Sequence, residues 1–144
     1  MNQQNAAANA VRGGHILDPA IPKQNISRIA DIATGTGYEM VSSKDITILM
    51  FISPSIFMVD VRAELAGAGN VTPPEIVGFD ISAAQFPENA LPGTKFVVWD
   101  MTKDFPEEYY NSFDIVHIRF AVFTMPIEQI RGVVENLVKL ISKC

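Results

Sequence analysis

Three aspartates and a pair of glycines are the residues of this chain whose types and spacing suggest chemistry. Asp31 lies within the run Arg28–Ala33 and is followed by Gly35 and Gly37; Asp80 ends the run Glu75–Asp80; Asp100 follows Thr94–Trp99. Each run is short and apolar, as expected of a strand of a parallel sheet that is covered on both faces. Two glycines after such a strand allow a turn with positive φ and let a ligand approach the backbone with no Cβ in the way.

The stretch Ser27–Gly37, SRIADIATGTG, separates two ligand classes. A dinucleotide site requires G-x-G-x-x-G so that helix and strand pack closely behind the pyrophosphate, and here the third position is Met40. S-adenosyl-L-methionine has no phosphate and carries a sulfonium and an amino group. A carboxylate beside the turn, Asp31, answers that charge. Asp80 would sit beyond the carboxyl end of its strand, where open α/β sheets bind ligands, and can accept both hydroxyls of a ribose. Its alternative role is to cap the segment that starts at Ser82.

A fourth strand is expected over Phe113–Arg119, with Asp114, Val116 and Ile118 on one side and Phe113, Ile115, His117 and Arg119 on the other. His117 and Arg119 come near its carboxyl end and are the candidate catalytic residues. His117 would act as a base or orient an acceptor, or else be a satisfied strand histidine.

The elements that must position these residues can be read from periodicity. Ile29 and Ile32 are core positions of the first strand. An amphipathic helix is expected over Phe57–Ala66, stopped by Gly67 and Gly69. Residues 83–93 read as a loop with a half-turn of helix. Pro126 opens a last helix, in which Ile127, Ile130, Val134, Leu137, Val138 and Ile141 keep a spacing of three and four. Alternation of strands and helices predicts an α/β fold with a parallel sheet.

DIATGTG at 31–37, ILDPAIP at 16–22, GFDIS at 78–82 and SFDIVHIRF at 112–120 resemble the fungal class I S-adenosylmethionine-dependent methyltransferases, in the branch of secondary-metabolism regulators and tailoring enzymes. The resemblance covers most of residues 13–141. It implies a Rossmann-like sheet of strand order 3-2-1-4-5-7-6, of which this chain supplies strands one to four, in the order 3-2-1-4. It also implies that Asp31, Gly35, Gly37, Asp80, Asp100 and Met101 bind S-adenosyl-L-methionine. In that pattern Asp100 takes the adenine amino group, and Met101 or Trp99 flanks the ring, Trp99 being equally a core aromatic. The methyl acceptor would be a small molecule or a protein. Against the family pattern, residues 38–55 are an insertion, either a lid or an aberrant product. With later strands missing, these residues alone are expected to be weakly active or inactive. The other reading is a non-catalytic interaction module that pairs, or self-associates, through its exposed sheet edge.

Composition sets the remaining limits. The chain has 144 residues, 48% hydrophobic and 19% charged, enough for one core. Residues 1–14 read as a disordered tail and 15–144 as the domain. A net charge of −5 leaves no electrostatic footprint for nucleic acid. The only cysteine is Cys144, and the start lacks the apolar core of a signal peptide. The longest apolar run, Ile46–Val59, is interrupted by Ser53, Pro54 and Ser55 and falls short of the roughly 20 residues of a membrane span. A cytoplasmic protein, with the nucleus also open to it, and no metal are expected.

Overall fold

The computed structural model describes residues 16–34, 56–118 and 125–142. Gly35, Gly37, Met40, the insertion at 38–55, Arg119, the 1–14 tail, His15 and Cys144 lie outside the described residues. Four strands, β1 (Arg28–Ile32), β2 (Glu75–Asp80), β3 (Thr94–Val98) and β4 (Ile115–Ile118), form one sheet in the order β3-β2-β1-β4. All three pairings are parallel. The strands that carry the aspartates are therefore neighbours, and their carboxyl ends lie along one edge. The sheet is that of a partial Rossmann-like fold.

Two apolar clusters cover the sheet. On one face Ile29, Ile76 and Ile115 meet Phe57, Met58, Val61 and Leu65 of α1 (Ile56–Gly67). On the other, Ala30, Ile32, Val77 and Phe79 meet Phe105, Tyr109 and Phe113 with Val133, Leu137 and Leu140. The last three come from α2 (Ile127–Val138) and the residue pair that follows it. Phe79 organises this second face, with the rings of Phe105 and Tyr109 set edge-on to it at 5.2 and 5.1 Å. Gly78 is needed where α1 crosses β2. A Cβ there would stand 2.9 Å from Met58 Cε and 2.9 Å from Phe96 Cδ1.

Two expectations from periodicity fail. Phe113 falls on the same face as Val116 and Ile118, because the chain bends at Asp114 and β4 starts only at Ile115. In α2 and the residues just after it the buried side is Val133, Asn136, Leu137 and Leu140, whereas Ile127, Val134, Val138 and Ile141 are exposed. Of the predicted stripe, Leu137 is buried and Ile130 half-buried. Two neighbouring apolar stripes satisfy the same spacing, and the fit beneath Phe79 selects the one that contains Asn136.

After α2 the chain returns to the sheet. Phe113 N donates to Leu140 O, Ser142 N donates to Phe113 O at 2.8 Å, and Phe113 bridges Ile141 in parallel sense. The approach to β4 is thereby tied on its outer side, while Asp114 N donates inward to Arg28 O. By the alternation of a parallel ladder, the backbone groups of Ile115 and His117 then point away from β1, toward the outer side of β4.

Candidate functional site

The site starts from Asp31, placed by its register opposite Gly78 on one side and His117 on the other. Its residue is 3% exposed, so its carboxylate must find partners inside the protein. Oδ1 lies 2.8 Å from His117 Nδ1, and Oδ2 accepts from the Thr34 hydroxyl at 2.8 Å. Thr34 itself donates from its backbone N–H to Phe79 O, which ties the start of the glycine segment to β2. Between strand and turn, Ala33 takes φ 55°, a left-handed conformation unusual for a residue with a Cβ.

His117 is fixed on two further counts. Its ring stacks on Phe57 of α1, centroids 3.6 Å apart and planes 5° from parallel. An ionised Asp31 only accepts hydrogen bonds, so beside it Nδ1 is the donor and Nε2 is the ring nitrogen left over. Nε2 makes no hydrogen bond among the described residues. The structure therefore joins two residues that the sequence analysis assigned separately, one to a cofactor and one to an acceptor. Phe57 and Thr34 were missed: Phe57 reads as an ordinary core position, and only proximity across two elements gives it this role.

The other two acids stand on the next strands. Asp80 is half-buried at the end of β2, and its Oδ1 accepts from Ser82 N at 3.1 Å. Ser82 in turn caps the short turn Ala83–Gln85 by accepting from Ala84 N. The capping role considered for Asp80 is thus present, one step removed. Asp100, just past β3, accepts through Oδ1 from both the hydroxyl and the N–H of Thr102, at 2.7 and 2.9 Å. Those two bonds, the hydroxyl first, outweigh desolvation and hold its carboxyl below the ordinary value of 3.8. It is ionised at neutral pH.

Met101 and Trp99 both pack against the cluster around Phe79, with Trp99 tilted over Phe105 at 6.3 Å. Trp99 Nε1 is buried without a hydrogen-bond partner among the described residues. The loop that carries Asp100 and Met101 is held from below by Asn136, whose amide donates to Met101 O at 3.3 Å and Lys103 O at 3.1 Å. Asn136 was also missed by the sequence analysis. A polar residue inside an apolar helix face was the available signal.

The segment before β1 is fastened to α1. Glu64 Oε2 accepts from Ile16 N at 2.6 Å and Leu17 N at 3.4 Å, and Lys23 Nζ pairs with Oε1 at 2.5 Å. Burial alone would raise the Glu64 carboxyl, but Lys23 and the two backbone donors outweigh it and hold it below the ordinary 4.5. At the foot of the sheet Asp114 Oδ2 accepts from Ser27 N, Ser27 Oγ and Arg28 N, which aligns the starts of β1 and β4. Among the described residues no cluster of side chains is suited to a metal ion, and no helix is long and apolar enough to cross a membrane.

No protein-family model matches the chain. Two relatives were found. An N-methyltransferase, gliN, of Aspergillus fumigatus is 33% identical over 67 residues, 46% of this chain and 24% of the relative. A methyltransferase, grgD, of a Penicillium species is 23% identical over 141 residues, 98% of this chain and 44% of the relative. The chain spans less than half the length of either relative. Three adjacent parallel strands thus carry an acid at or near their carboxyl ends, and both relatives are named for methyl transfer.

Proposed function

We propose that this chain is the cofactor-binding part of a class I methyltransferase whose methyl donor is S-adenosyl-L-methionine. The observation that carries the reading is that Asp31, Asp80 and Asp100 stand at or near the carboxyl ends of three adjacent parallel strands. A nucleoside presents hydroxyl and amino donors, and ionised aspartates are acceptors, so the donor set fits. Asp80 would take the ribose hydroxyls and Asp100 the adenine amino group, with Met101 or Trp99 beside the ring. Gly35 and Gly37 would admit the amino-acid end. Thr102 and Asn136 hold the Asp100 loop in place for that contact.

When bound, the donor supplies a methyl group made electrophilic by a positively charged sulfur. Positioning is the main work left for the protein, since an in-line displacement needs reacting atoms held about 3–3.5 Å apart. The names of the relatives agree with this activity, the A. fumigatus protein being named for transfer to nitrogen.

Calorimetry of the chain with S-adenosyl-L-methionine and with its demethylated product tests the reading. Saturable binding of both, weakened at least about tenfold in Asp80→Asn, a loss of about 1.4 kcal/mol, is expected. Absence of heat and of any thermal shift at millimolar ligand would overturn it.

A further inference from the structure

A cleft of about 460 Å³ opens at the amino ends of β2 and β3, against the second half of α1. Its walls include Leu65 of α1, Val71, Pro73 and Pro74 of the loop into β2, and Pro92 ahead of β3. Arg62 is the one charged residue of that lining, and no acid is part of it. Asp80 and Asp100 stand at the opposite ends of the same strands, so this cleft is separate from the donor site proposed above.

We propose that this cleft is a second small-molecule site, for an organic carboxylate with a compact apolar body whose carboxylate group accepts from Arg62. The guanidinium carries the argument. Its Nη2 donates to Thr94 Oγ1 at 3.1 Å and to Pro74 O at 3.4 Å, which fixes it across the starts of two strands. Nε is buried and has no hydrogen-bond partner among the described residues. Nη1 makes no hydrogen bond among them either, and Arg62 forms no ion pair with them. Cations withdrawn from water are ordinarily paired, because burial penalises the charged form. Desolvation does lower the Arg62 guanidinium from its ordinary value, and no acid offsets it. It remains protonated at neutral pH, so a bound carboxylate would supply the missing countercharge.

The walls select the rest of the ligand. Small-molecule sites occupy about 300–1,000 Å³ and combine apolar walls with few polar groups, as this cleft does. Val71 is 97% exposed at its rim, an apolar side chain that a ligand body would cover. A multiply charged phosphate would give up more hydration against proline and valine than one nitrogen of Arg62 returns. The cleft is also formed in advance. Gly69, at φ 92°, turns the chain out of α1, and the Asn70 amide donates to Leu65 O at 3.0 Å and to Lys23 O, which holds the 70–74 wall in place.

The test uses the 144-residue chain, methyl-labelled, with 2-naphthoate, 2-naphthamide and inorganic phosphate as probes read by nuclear magnetic resonance. Naphthoate should shift the methyl groups of Leu65 and Val71 saturably, with a dissociation constant of about 1 mM or below. The neutral amide should bind at least about tenfold more weakly, the difference between a charge-assisted and an ordinary hydrogen bond. In Arg62→Gln the two probes should come within about twofold of each other. Because Arg62 also ties α1 to the sheet, a second pair of variants changes the charge at the exposed rim instead. Naphthoate should bind about fivefold more weakly to Val71→Asp than to Val71→Lys, with the amide indifferent to the change. Equal affinity of the wild-type chain for acid and amide, shifts confined to residues outside the cleft, or no difference between the Val71 variants overturns the proposal. Displacement of naphthoate by an equal concentration of phosphate overturns the assignment to an organic carboxylate.

Discussion

His117 Nδ1 lies 2.8 Å from Asp31 Oδ1, across the β1–β4 pairing and beneath the ring of Phe57. Replacing Asp31 by Asn removes the charge that selects the Nδ1–H tautomer. Long-range nitrogen–proton spectra should show a single His117 tautomer in the wild-type chain and a mixture in Asp31→Asn. A pure Nδ1–H form in the variant would mean that Phe57 packing, not Asp31, sets the ring. Loss of the hydrogen bonds to a charged carboxylate should also lower stability by about 1.5–3 kcal/mol, measured by urea unfolding.

The Glu64 contacts make the leading segment sensitive to acid. The folded-state carboxyl titrates below its ordinary 4.5, so the stability it contributes is complete above that value and is lost as pH falls through the folded value. Asp114 adds a contribution of the same sign: burial raises its carboxyl, and the donors of Ser27 and Arg28 outweigh that and lower it below 3.8. Melting temperature should therefore drop as pH is taken below about 4.5, with a shallower drop in Glu64→Gln. Identical pH profiles for the two proteins would count against the Glu64 clamp.

Asn136 donates to two carbonyls of the Asp100 loop. In Asn136→Ala both lose their partner, at a cost of about 2–3 kcal/mol, and backbone amides of residues 101–103 should exchange hydrogen faster than in the parent. An unchanged exchange rate in that loop would show that Asn136 serves packing only.

The two apolar stripes of α2 predict opposite mutational outcomes. Leu137→Ala empties part of the cluster beneath Phe79 and should cost about 2–4 kcal/mol. Val138 is 60% exposed, and Val138→Lys should stay within about 0.5 kcal/mol of the parent. Denaturant midpoints decide; a large loss from Val138→Lys would restore the stripe that periodicity alone suggests.

Local chemistry in the sequence determined the strands and the order of acids along them. Runs such as Arg28–Ala33 and Glu75–Asp80 carry their own signal, since a strand covered on both faces must be apolar at almost every position. Their boundaries came out within a residue or two, as did the helix over Ile56–Gly67. The order β3-β2-β1-β4 was legible only through the family resemblance, because the partners of a strand in a parallel sheet are distant along the chain. What tertiary structure alone decided is the partnership of side chains across elements. Nothing local to Asp31 says that it meets His117, 86 positions away, or that Phe57 covers the ring. The choice between the two stripes of α2 was likewise left open by spacing, since a helical repeat fixes the separation of apolar residues but not which side finds a matching surface. That surface exists only once Phe79, Phe105 and Phe113 have been brought together from three separate segments.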